Sequence, residues 1–130
     1  MPFINVKTNV SLTEDKAELI KTQLGQAITA IPGKSEGWLM VGIEPDYKLW
    51  FKGTDEPAAM VEVSIYGNAS HNAKTTLTSH ITGILTDAAG ISSDRIYVKY
   101  AETDSWGWTV QISDAALTGF ACAVKQQKRR

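Results

Sequence analysis

With 130 residues and 14.2 kDa, the chain falls in the range of one domain and should bury roughly two-thirds of its unfolded surface without a disulfide or metal staple. Hydrophobic residues at 43% and charged residues at 21%, with four prolines, exclude a disordered or low-complexity chain. Thirteen Lys+Arg against fourteen Asp+Glu leave a formal charge of -1, so no global field gathers nucleic acid or an anionic membrane.

In chain order, residues 2–8 (PFINVKT) mix apolar and polar positions as a strand does. Ser11 and Glu14 have the spacing of a capping box, which opens a helix with Ala17, Ile20, Leu24, Ala27, Ile28 and Ile31 on one face. Pro32 and Gly33 stop it. The run Trp38 to Ile43 reads as a buried strand, followed by a turn at Glu44, Pro45 and Asp46 and a short apolar segment from Tyr47 to Phe51. Gly53 to Pro57 is the next break. Ala59 to Tyr66 is a strand, and Asn68 or Ser70 caps a helix carrying Leu77, Ile81, Ile84, Leu85 and Ala88. Gly90 ends that helix before a strand from Arg95 to Tyr100. Gly107 to Ile112 is a short strand able to extend a neighbour's sheet edge. Residues 114–124 have weak helical or strand character, and the closing KQQKRR reads as a solvated tail.

The two halves superimpose at an offset of 57, which sets Ile20 on Leu77, Leu24 on Ile81, Ile28 on Leu85, Gly33 on Gly90 and Val41 on Val98. The expected fold is therefore α/β (α+β). It is a duplicated βαβ unit in a four-stranded mixed sheet, with both helices on one face. The pseudo-repeats run over about 2–45 and 59–101 within a single domain 1–130, with a C-terminal extension over about 113–130. The strands read as apolar on both faces, so the second face calls for another copy of the chain.

The lone Cys122 rules out an internal disulfide framework or a CxxC redox pair. No charged leader precedes a long apolar run, and no stretch approaches roughly eighteen apolar residues, so the expected location is the cytoplasm, release without a signal peptide being the alternative. His71 and His80 belong to no metal-ligand spacing, and Asn68-Ala69-Ser70 serves more simply as a helix cap than as a glycosylation site. No metal or cofactor is expected, and neither nucleic acid nor membrane as a partner.

A doubled βαβ beginning at Pro2 resembles the macrophage migration inhibitory factor family of the tautomerase superfamily. The likeness spans residues 1–110. It rests on the opening MPF, TNV at 8–10, GK at 33–34, PD at 45–46, EPAAMVEVSIYG at 56–67, ISSDRIYVKY at 91–100 and GW at 107–108. The resemblance implies a homotrimer whose three sheets enclose a central core, with tautomerase pockets at the subunit boundaries. The segment Ala58 to Val61 lacks the two cysteines of some members, so thiol oxidoreductase activity is not implied.

Removal of Met1 would expose Pro2 as a secondary amine, and burial near cations would pull it below the α-amino range of about 7.7–8.0, giving a free base at neutral pH. If Met1 stays, the same nitrogen is a tertiary amide without useful basicity. The offset sets Ala59 opposite Pro2, inside the chain, so each subunit has one such base. The resemblance further implies that Lys34 offers a cation to a substrate carboxylate, that the Tyr66 N–H holds the same group, and that Tyr97 comes from a neighbouring subunit to meet the substrate ring. Lys99 stands where well-known animal members carry asparagine and would add a second cation. Trp38 stands where tyrosine is frequent, and Trp106 and Trp108 would form apolar walls. Without the resemblance, each has an ordinary role: a lysine at a helix C-terminus, a strand tyrosine, core aromatics.

The expected function is a cofactor-independent keto-enol tautomerase, an isomerase acting on small aromatic α-keto acids of the phenylpyruvate or dopachrome type. Pro2 is its base and Lys34 its catalytic cation. The rival reading is a cytokine-like binding protein with a protein receptor and a vestigial pocket. A third, hydration of an unsaturated acid, lacks a carboxylate to activate water.

Overall fold

The computed structural model describes residues 1–114. The expectations for residues 114–124, the KQQKRR tail and Cys122 fall wholly or almost wholly outside them. Strand β1 (Pro2–Thr8) leads to helix α1 (Glu14–Ala27), then 3-10 turns at Ile28–Ala30 and Glu36–Trp38 and strand β2 (Met40–Glu44). The second half repeats the series with β3 (Ala59–Tyr66), α2 (His71–Ala89), a 3-10 turn at Ser93–Arg95 and β4 (Ile96–Thr103). A hairpin of β5 (Ser105–Trp108) and β6 (Gln111–Asp114) follows.

The sheet order is β2-β1-β3-β4. β1 and β3 are antiparallel in the middle, and β2 and β4 lie parallel to them at the edges. Each half is a strand, a crossover helix and a parallel strand, as the doubled unit predicts. Alternate residues of the central strands are buried under the helices: Ile4 and Val6 from β1, and Val61, Val63 and Ile65 from β3. They meet Ile20, Leu24 and Ile28 of the first half and Leu77, Ile81 and Leu85 of the second, all without solvent exposure. Their burial on one helix face each is what keeps both helices on one side of the sheet.

The other sheet face is not apolar throughout. Asn5 donates to Glu44 at 3.0 Å, and Glu62 lies 3.9 Å from Lys7 and 3.6 Å from Lys99. The strands read as two-sided because Phe3, Met60 and Tyr97 alternate with these polar residues among β-branched neighbours. Strand β2 is also less buried than expected. It has β1 on one side only, Met40 is 71% exposed, and Trp38 belongs to the preceding 3-10 turn.

Helix α1 is capped by Thr13, whose hydroxyl accepts from Lys16 N–H at 3.2 Å, while Ser11 donates instead to Asp46. Ser70 caps α2 by accepting from Ala73 N–H at 3.1 Å, and Gly90 closes it in the left-handed region at φ 69°. The segment after β2 forms no strand. Asn9 Nδ2 gathers the carbonyls of Leu49, Asp55 and Glu56, and its Oδ1 accepts from Ala58 N–H at 2.9 Å. Gly107 to Ile112 is likewise not one strand: Thr109, at φ 58°, turns the chain between β5 and β6.

Candidate functional site

Pro2 begins β1 opposite Ile65 of β3, and it is buried. The next residue of β3 is Tyr66, whose backbone N–H and carbonyl are both engaged. Its N–H donates to the Met1 carbonyl at 3.3 Å, and its own carbonyl accepts from Lys34 Nζ at 3.0 Å. Lys34 reaches this point from the turn after α1, where Gly33 adopts φ 80° and Lys34 N–H bonds back to Ile31. A glycine favours that backbone region, so the turn directs the half-buried lysine stem back over the sheet end. Pro2, Lys34 and Tyr66, far apart in sequence, thus meet at one end of β3.

An aromatic wall stands nearby. Trp38 precedes β2, and Trp108 of the hairpin meets it edge to face with ring centroids 5.1 Å apart and planes at 77°. Trp106, on the same strand, is half-buried. The hairpin emerges from the same end of the sheet, because β4 finishes at Thr103 opposite Tyr66. There Gly67 N–H donates to the Thr103 carbonyl at 2.9 Å. Glu102 secures the adjacent turn by accepting from Ala69 N–H and Lys74 Nζ, each at 2.8 Å. The hydrogen bond from Lys74, joined by the Ala69 N–H, holds the Glu102 carboxyl below its ordinary value of 4.5.

Tyr97 and Lys99 are not in this group within one chain. Tyr97 pairs with Met60, five positions along β3 from Ile65, which is about 17 Å at strand spacing. Lys99 pairs with Glu62, three positions away, about 10 Å. Both project from the open face at the far part of an edge strand, and Tyr97 is 60% exposed. Open grooves of about 470 Å³ between α1 and α2 and about 510 Å³ beside Tyr100 lie on the helical side. Neither is lined by Pro2, Lys34 or Tyr66. Among the described residues no group of three or more His, Cys, Asp or Glu could hold a metal, and no helix is long and apolar enough to cross a membrane.

Three structural residues were not singled out from sequence: Asn9, Glu102 and Arg95, all of which act through backbone carbonyls or N–H groups distant in sequence. The TNV at 8–10 and DR at 94–95 contain two of them, but no periodic pattern signals a side chain that ties down a loop.

A sequence profile described as macrophage migration inhibitory factor (MIF) matches residues 1–116. The chain belongs to the MIF family. It is 30% identical over 113 residues to the macrophage migration inhibitory factor of Mus musculus, covering 83% of this chain and 95% of that protein. It is 32% identical over 108 residues to a homolog from Trichuris trichiura, covering 78% and 89%. The crystal structure of a Leishmania major MIF protein superposes with a TM-score of 0.79 at 30% identity, covering 84% of this chain and 94% of that one. The Toxoplasma gondii protein shares the fold at 18% identity, with the same TM-score of 0.79 and coverage of 85% and 98%. Two helices over a four-stranded mixed sheet are thus the MIF fold.

Proposed function

We propose that the chain is a cofactor-independent keto-enol tautomerase for small aromatic α-keto acids of the phenylpyruvate type, working as a homotrimer. The observation that carries this reading is the convergence of Pro2, the Lys34 ammonium and the Tyr66 peptide at one sheet end in a member of the MIF family. After loss of Met1, the Pro2 nitrogen is a secondary amine on a buried ring. It takes a proton from the carbon beside the substrate ketone and becomes an ammonium. The electron pair moves to the carbonyl oxygen as an enolate, and the same proton is then delivered to that oxygen to give the enol. Lys34 and the Tyr66 N–H hold the carboxylate, oriented by charge and hydrogen bonding together. Trp38, Trp106 and Trp108 supply apolar wall, while Tyr97 and Lys99 enter from the adjoining chain, because within their own chain they lie too far along the strand.

Phenylpyruvate turnover by protein shown by intact mass to lack Met1 tests this. Pro2→Gly is expected to lower kcat/KM by about 10²–10⁴ and Lys34→Ala chiefly to raise KM. Equal rates in all three proteins reject the assignment.

A second reading is a protein-binding role. The mammalian relatives bear the name macrophage migration inhibitory factor, and Trp50 presents an unburied indole, 62% exposed, well away from Pro2. Receptor-type capture that survives Pro2→Gly, in protein with no detectable tautomerase turnover, would favour it.

A further inference from the structure

Tyr97 lies on an edge strand with most of its ring in solvent, and a side chain in that setting ordinarily samples more than one rotamer. Here Phe51 meets it edge to face, with centroids 5.0 Å apart and planes at 73°. Phe51 comes from the long loop between β2 and β3 and is itself fixed in two ways. Its N–H and carbonyl exchange hydrogen bonds with Thr54 at 2.9 and 3.1 Å, closing a turn in which Lys52 and Gly53 take φ 54° and 77°. Above its ring lies the Arg95 guanidinium, 5.2 Å from the centroid.

Arg95 cannot easily shift. Its Nε donates to the Pro57 carbonyl at 2.9 Å and its Nη2 faces the carbonyls of Glu56 at 3.0 Å, Phe51 at 3.3 Å and Thr54 at 3.4 Å. A guanidinium can satisfy several carbonyls in one plane while presenting its face to an aromatic ring, a combination lysine lacks. The result is a series of cation, ring and ring that ends on Tyr97 and is anchored where Arg95 holds the carbonyls of the β2–β3 loop.

We infer that Arg95 and Phe51 are positioning residues for Tyr97, fixing the ring that it presents to the adjoining chain's site and thereby setting the preference for aromatic over aliphatic acids. This rests on the role proposed above for Tyr97. A ring already held in one orientation loses less freedom when a substrate ring packs on it, so the series favours substrates that use that contact. If Phe51 only covered the loop, its loss would alter stability and leave the choice of substrate alone.

The test compares Phe51→Leu, Phe51→Tyr and Arg95→Met with Tyr97→Ala, on phenylpyruvate and on an aliphatic α-keto acid. Phe51→Leu is expected to lower kcat/KM for phenylpyruvate by about three- to tenfold, mainly through KM, and to leave the aliphatic acid within about twofold. Phe51→Tyr restores the ring and the selectivity. Arg95→Met shifts selectivity in the same direction by less; because it also frees the loop, the Phe51 pair decides the outcome if that variant fails to fold. Equal losses on both acids, or an unaffected Phe51→Leu where Tyr97→Ala is impaired, overturn the inference. An unimpaired Tyr97→Ala, or an inactive wild type, brings down the proposed role of Tyr97 and this inference with it. Tyr97 ring resonances give a separate check by NMR: they should move in Phe51→Leu, and unchanged resonances refute positioning whatever the turnover.

Discussion

Tyr66 has both of its backbone polar groups engaged at the sheet end where the proposed site lies. With Met1 present, its N–H is used by the Met1 carbonyl at 3.3 Å while Lys34 sits on its own carbonyl at 3.0 Å. A residue ahead of Pro2 therefore does two things at once. It turns the proline nitrogen into a tertiary amide, and it occupies the donor assigned to the substrate carboxylate. Protein that keeps Met1 should consequently fail in binding as well as in turnover. A competitive carboxylate ligand titrated calorimetrically should bind it at least about tenfold more weakly than the processed form, the equivalent of roughly 1.4 kcal/mol, in line with a charged group losing one hydrogen bond. Equal affinity for the two forms would mean that the Met1 carbonyl does not compete, leaving amide formation as the sole effect of retention.

At the level of elements, the offset of 57 carries further than the hydrophobic positions that reveal it. It maps Thr13 onto Ser70, the two residues that cap the helices, and the 3-10 turn Glu36–Trp38 onto Ser93–Arg95. Ser11 satisfies the spacing of a capping box, yet Asp46 takes its hydroxyl, and the repeat itself points to Thr13. The helices and central strands were legible because burial imposes a period on them. The hairpin turn was not, since Thr109 reaches φ 58° without the glycine or asparagine that normally announces such a turn. Lys34 and Tyr66 owe their place in the site to resemblance, because no local pattern brings a turn lysine to a strand peptide. Glu102 is a further contact invisible in sequence, and its titration gives a test. Its folded value lies below the ordinary 4.5, so the stabilisation it provides is fully present above that pH and is lost as pH falls through the lowered value. The pair is only partly covered from solvent, with side chains 25% and 22% exposed, and Glu102→Gln should cost about 0.5–1 kcal/mol at neutral pH in urea unfolding. The gap between the two proteins should narrow as the pH drops below 4.5; a gap constant with pH would assign the loss to packing instead.

Across the whole molecule, one face of the sheet is closed by helices and the other carries the residues that the proposed site needs from a second chain. The separation of about 17 Å between the Pro2 and Tyr97 rungs makes the two contributions genetically separable. A Pro2→Gly chain lacks the proposed base but still offers an intact Tyr97, whereas a Tyr97→Ala chain keeps Pro2 and lacks the ring. Co-expressed in equal amounts, they should form mixed rings in which about one site in three combines an intact Pro2 with an intact Tyr97, about a quarter of all sites once unmixed rings are included, if assembly is random and cyclic. Phenylpyruvate turnover of the mixture should then exceed that of either parent and approach a quarter of the wild-type value. A mixture no better than the average of the two parents, with mixed rings demonstrated by native mass spectrometry, would place Tyr97 outside its neighbour's site and leave each chain to work with its own residues alone.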